Sequence, residues 1–87
     1  MKWYYSVNDN DAALAHPELG IEYAVMDLGF GWISCFTCSD FEKGGYLSGD
    51  GKVVHSLRLK GYDDLDKDCV FQTEMEAQAA CQKHYGK

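Results

Sequence analysis

Gly20-Ile21-Glu22-Tyr23-Ala24-Val25-Met26-Asp27-Leu28-Gly29-Phe30-Gly31-Trp32-Ile33-Ser34-Cys35-Phe36-Thr37-Cys38 is the stretch that decides the fold. Residues 21–28 mix Ile, Tyr, Val, Met and Leu, side chains that suit a pleated surface. Asp27-Leu28-Gly29-Phe30-Gly31 then supplies turn chemistry, and residues 32–38 read as the returning strand of a hairpin. Outward from this hairpin, residues 2–8 alternate, with Trp3, Tyr5 and Val7 on one face and Lys2, Tyr4 and Ser6 on the other. Asn8-Asp9-Asn10-Asp11 is a turn cluster, and residues 12–16 read as one or two helical turns stopped by Pro17. Gly44, Gly45, Gly49 and Gly51 mark a flexible stretch with a strong Asp50-Gly51 turn, and Tyr46-Leu47 extends a neighbouring strand. Residues 52–60 form the cleanest strand pattern: Val53, His55, Leu57 and Leu59 point one way, Lys52, Ser56, Arg58 and Lys60 the other, with Val54 the exception.

The chain closes with a helix. Thr73-Glu74-Met75-Glu76 is a capping box, in which the Thr73 hydroxyl accepts from the Glu76 N–H and the Glu76 carboxylate reaches back. Ala77, Ala80, Cys81, His84 and Tyr85 recur on one side at helical spacing, and Gly86 ends the run. Small residues on that stripe allow close approach to a sheet. The expected architecture is α+β: an antiparallel sheet of about four strands with one C-terminal helix packed on one face, in a single domain spanning residues 1–87. Six tyrosines, four phenylalanines and two tryptophans exceed what one small core absorbs, so the sheet face away from the helix is expected to be partly open.

With 87 residues, 14 acidic against 8 basic side chains and a net charge of −6, the chain is too small for two cores and of the wrong sign to bind nucleic acid directly. No apolar run reaches the roughly 18 residues of a membrane span. The N-terminal residues lack a signal-peptide apolar region, which points to the cytoplasm and to reduced thiols.

Cys35-Phe36-Thr37-Cys38 is a C-x-x-C, and with Cys69 and Cys81 or His84 it offers the soft ligands of a tetrahedral zinc. A small zinc-stabilised structural or adaptor domain is therefore the alternative reading. Its spacing is poor, however, because two cysteines three apart on a strand project to opposite faces. Asp64-x-Asp66-x-Asp68 opens like a calcium loop, but Cys69 and Met75 stand where that loop needs Gly and Glu. His16, His55 and His84 have no recognisable nucleophile beside them in sequence; His55 and His84 fall on apolar faces and read as core or boundary residues. No catalytic constellation, metal site or cofactor motif is expected.

The Gly31-Trp32 hairpin strand, the Gly-rich turn and strand, and the closing helix Phe71-Gln72-Thr73-Glu74-Met75-Glu76-Ala77-Gln78-Ala79-Ala80-Cys81 together resemble small phage-encoded accessory proteins, a population that includes anti-CRISPR and other anti-defence inhibitors. The resemblance covers about residues 21–85 and its motif is one of capping and packing. It implies a non-enzymatic, stoichiometric binder that works in the host cytoplasm. Its partner would be a host protein or ribonucleoprotein complex with a basic surface. The expected contact residues are Asp63, Asp64, Asp66 and Asp68 flanked by Tyr62, with Asp9 and Asp11 as a second acidic cluster. An exposed sheet edge would also be compatible with a homodimer.

Overall fold

The hairpin forms as its pattern requires. In the computed structural model, which describes residues 1–5, 12–57, 61 and 64–86, β3 (Ile21–Asp27) and β4 (Trp32–Cys38) pair along their whole length, from Ile21 opposite Cys38 to Asp27 opposite Trp32. The turn between them holds Gly29 at φ +90°, and Asp27 Oδ1 accepts from the Gly29 N–H at 2.8 Å. β1 (Tyr4–Tyr5) and β2 (Ala12–Ala15) precede this pair; β5 (Gly45–Leu47) and β6 (Val53–Ser56) follow it. All six strands are antiparallel neighbours in chain order, β1-β2-β3-β4-β5-β6, and α1 (Glu74–Tyr85) packs on one face. The α+β class is as expected, with six strands among the described residues rather than about four.

The extra strands have physical causes. Ala12-Ala13-Leu14-Ala15 has good helix propensity but is strand, because β1 and β3 flank it and satisfy its backbone on both sides. Ala13 and Ala15 are fully buried there, and their small side chains suit a closely covered sheet. β5 is a separate strand of three residues, all buried between β4 and β6. β6 is shorter than the 52–60 pattern, and residues 58–60 lie outside the described residues. Val54, the exception to the alternation, sits at a bulge: Tyr46 opposes His55 while Leu47 opposes Val53, so one residue of β6 is left over.

Alternation gives the sheet one face buried under α1 and a second that is buried in part. Ala13, Ala15, Tyr23, Val25, Phe36 and Leu47 face α1 and pack against Phe71, Ala77, Ala80 and Cys81. The Ala-Ala-Cys stripe permits an approach close enough for Ser34 Oγ to donate to the Ala77 carbonyl at 2.6 Å, inside the core. On the other face Ile33, Cys35 and Tyr46 are buried with Ala24, Met26 and Leu28, and Leu57 and Leu65 from the segment after β6 pack over them. This covering closes the centre of the face, which stays partly open towards the β1 edge, where Tyr4 is exposed. Among the described residues, the exposed aromatics fall on separate elements: Tyr4 and Tyr5 on the β1 edge, Phe30 at the hairpin tip and Tyr85 at the end of α1.

Thr73 caps α1, its hydroxyl accepting from Glu76 N at 3.1 Å. Gly86 ends the helix in a right-handed conformation, φ −76°, so the stop does not use the left-handed freedom of glycine. Ahead of the helix, Phe71 and Trp32 exchange two backbone hydrogen bonds of 2.8 Å, stitching the helix approach to β4. Behind it, the β5–β6 turn abuts the last helical turn, where Lys83 Nζ donates to the Gly49 carbonyl at 3.2 Å.

Candidate functional site

The acidic segment is built on a tight turn. Lys67–Cys69 is a single 3-10 turn, in which Cys69 N donates to the Asp66 carbonyl at 2.9 Å and Val70 N to the Lys67 carbonyl at 3.2 Å. Cys69 is fully buried and Leu65 packs on the second sheet face, so two apolar anchors hold the segment down. The carboxylates between and beside them have nowhere to go but outward. Asp64, Asp66 and Asp68 are all exposed.

The structure adds a fourth carboxylate from a distant part of the chain. Gly49 N donates to the Asp68 carbonyl at 3.0 Å, which draws the β5–β6 turn against the acidic segment. Ser48, Gly49, Asp50 and Asp68 then line one polar cleft of about 170 Å³. Asp50 is exposed at its mouth. In sequence it reads as half of an Asp-Gly turn, and only the backbone bond to Asp68 makes it part of a charged rim.

His55 closes the rim on the sheet side. Its Nε2 lies 3.3 Å from the Asp66 N–H and 3.4 Å from Asp66 Oδ2. The two contacts need opposite states of that nitrogen: a lone pair to accept from the amide, a proton to pair with the carboxylate. His84 is half-buried, 2.6 Å through Nδ1 from the Tyr23 hydroxyl, with its ring centroid 4.3 Å from that of Phe36. Both histidines thus sit at the boundary of packed clusters, as their sequence positions suggest. Burial pushes the Tyr23 phenol up to about 12.

Of the expected contact residues, Asp68 lines a cleft with Asp50, and Asp64 and Asp66 are exposed on the same segment; Asp9, Asp11, Tyr62 and Asp63 lie outside the described residues. The zinc ligands of the alternative reading, Cys35, Cys38, Cys69 and Cys81 or His84, do not converge among the described residues. Cys35 belongs to the second-face cluster, while Cys38 packs against the core beneath α1 together with Cys81. Among the described residues, no group of three or more His, Cys, Asp or Glu side chains is placed to hold a metal ion. Burial pushes the Cys35 and Cys81 thiols up to about 12, and it raises Cys69 with help from the charges of Asp66 and Asp68. These thiols are packed small side chains in their protonated form at neutral pH. Among the described residues, no helix is long and apolar enough to cross a membrane. No family model, curated protein or solved structure matches the chain.

Proposed function

We propose that this chain is a non-enzymatic, protein-binding inhibitor of the anti-CRISPR-like kind, presenting an acidic rim to the basic nucleic-acid groove of a host complex. The observation that carries the reading is the juxtaposition of Asp50 with Asp68 at the end of the Asp64–Asp66–Asp68 run. Screening limits the reach of exposed charges to about 8 Å at physiological salt, so a cluster attracts a basic surface where the same charges dispersed would not. The rim is also anchored, through Cys69, Leu65 and the Gly49–Asp68 bond, and a pre-ordered loop has less freedom to lose on binding.

The direct biological test is protection of a phage. The chain, expressed in bacteria whose CRISPR immunity targets that phage, should restore plaque formation. A variant with Asp50, Asp64, Asp66 and Asp68 each changed to Lys should fail to do so while keeping the circular dichroism of the parent. Equal protection by the reversed variant would remove the rim from the account. Failure of the parent against every immunity type tried would remove the anti-CRISPR assignment.

A further inference from the structure

A second group of titratable side chains lies on the sheet face away from α1, near the β1 edge. Register brings it together. Tyr4 opposes Leu14, Leu14 opposes Ala24 and Ala15 opposes Tyr23, so the next step along β2 sets His16 beside Glu22 on the face that carries Tyr4. The Tyr4 hydroxyl lies 2.6 Å from His16 Nδ1, and His16 Nε2 lies 2.9 Å from Glu22 Oε2. The carboxylate selects the tautomer with the proton on Nε2, which leaves the Nδ1 lone pair to accept the Tyr4 O–H. Hydroxyl, imidazole and carboxylate in that order make an activated nucleophile: a base in contact with the attacking group, and a third group orienting the base. The Tyr4 and His16 rings stack with centroids 5.6 Å apart, which restrains both partners. His16 and Glu22 also line a surface groove of about 300 Å³, together with Ile21, Thr37 and Cys38.

Tyr5 is an internal contrast one residue away. It points to the opposite face and is the more exposed of the two, 60% against 45% for Tyr4. Its hydroxyl donates to Glu74 Oε1 at 2.8 Å, and that hydrogen bond together with the Glu74 charge raises its pKa. A carboxylate is also a weaker base than an imidazole by about two pKa units. Exposure alone therefore ranks Tyr5 as the more reactive phenol, and the hydrogen-bond chemistry ranks Tyr4 first.

We propose that Tyr4 is a covalent modification site, a phenol that takes an acyl group from an activated acyl donor with His16 as its general base and Glu22 as the residue that positions the base. In the step, Tyr4 Oη forms a bond to the acyl carbon as the bond from that carbon to the leaving group breaks. The bonding pair departs with the leaving group, and the phenol proton passes to His16 Nδ1 and from there to the leaving group. The products are the Tyr4 ester and the protonated leaving group, with no change of oxidation state. The site uses none of the rim aspartates, so it stands or falls independently of the inhibitor reading.

The test is competitive acetylation of the intact protein with limiting N-acetylimidazole at neutral pH, with the label localised by tandem mass spectrometry. Positioned general bases typically contribute at least about a hundredfold; at this half-exposed site Tyr4 should label about tenfold or more faster than Tyr5. In urea, with the relay dispersed, the two should label alike. His16→Asn keeps an acceptor for the Tyr4 hydroxyl but no base, and should lower the Tyr4:Tyr5 ratio about tenfold from that of the parent. Glu22→Gln should lower Tyr4 labelling while leaving Tyr5 unchanged. Tyr5 leading in the native protein, a native ratio equal to that in urea, or an unchanged ratio in a folded His16→Asn or Glu22→Gln variant would each overturn the proposal.

Discussion

Replacing Gly51 with Ala is the most demanding test of how the β5–β6 turn is locked to the helix. Gly51 has φ +77°, where an L side chain is disfavoured by about 1–2 kcal/mol. The added Cβ would also stand 2.7 Å from His84 N, 2.7 Å from Lys83 Cβ and 2.9 Å from Lys83 C. Two of those are backbone atoms of the last turn of α1, so they cannot rotate away. Overpacking of this kind adds about 1–3 kcal/mol, for a total of about 2–5 kcal/mol. Gly29→Ala is the matched control: its φ is +90°, and nothing lies within 4 Å of the added Cβ. It should show the backbone strain alone, about 1–2 kcal/mol. Urea unfolding followed by far-UV circular dichroism separates the two. At a slope near 1 kcal/mol per molar, the midpoint should fall by about 1–2 M for Gly29→Ala and by a further ~1–3 M for Gly51→Ala. Equal midpoints in the two variants would refute the packing of this turn on the helix end. That packing matters for the rim, because the same turn carries Asp50 to Asp68.

Thr73→Ala removes the one side-chain acceptor shown for Glu76 N, and should lower stability by about 1 kcal/mol, read as a Tm drop of about 4–8 °C by circular dichroism. Burial holds the Cys35 and Cys81 thiols up to about 12, against an unperturbed 9.0 in the unfolded chain. Groups with raised folded-state pKa values contribute their stability fully below the unfolded value and lose it as pH climbs towards the folded one. Urea midpoints should therefore be flat from neutrality to about pH 9 and fall between pH 9 and 12, with a smaller fall in Cys35→Ala than in the parent.

The parts of the fold legible in the sequence were those with local causes. Residues 21–38 carry strand character on both sides of a glycine turn, and Thr73 to Glu76 carry their own cap, so neither needs the rest of the chain to be recognised. Residues 12–15 are the opposite case. Three alanines and a leucine favour helix in isolation, and only the strands on either side make them β2. That substitution of strand for helix also hid the Tyr4–His16–Glu22 relay, which exists because β2 holds His16 in register between β1 and β3. Composition points to a partly open aromatic face, whereas Leu57 and Leu65 pack over its Ile33–Cys35–Tyr46 centre and leave Tyr4 exposed at the β1 edge. The acidic run was visible as charge, because 64, 66 and 68 are close in sequence. Asp50 was not, since its place beside Asp68 depends on a backbone bond between two loops.

The acidic rim as a nucleic-acid-groove blocker is tested most directly by DNA displacement from purified CRISPR effector complexes, measured with the parent chain and with the variant carrying Lys at positions 50, 64, 66 and 68. The parent should expel bound target DNA from at least one effector, added salt should weaken the effect, and the reversed variant should leave the DNA in place. Full displacement by the folded, charge-reversed variant, or undisturbed DNA binding by every effector in the presence of the parent, would contradict it.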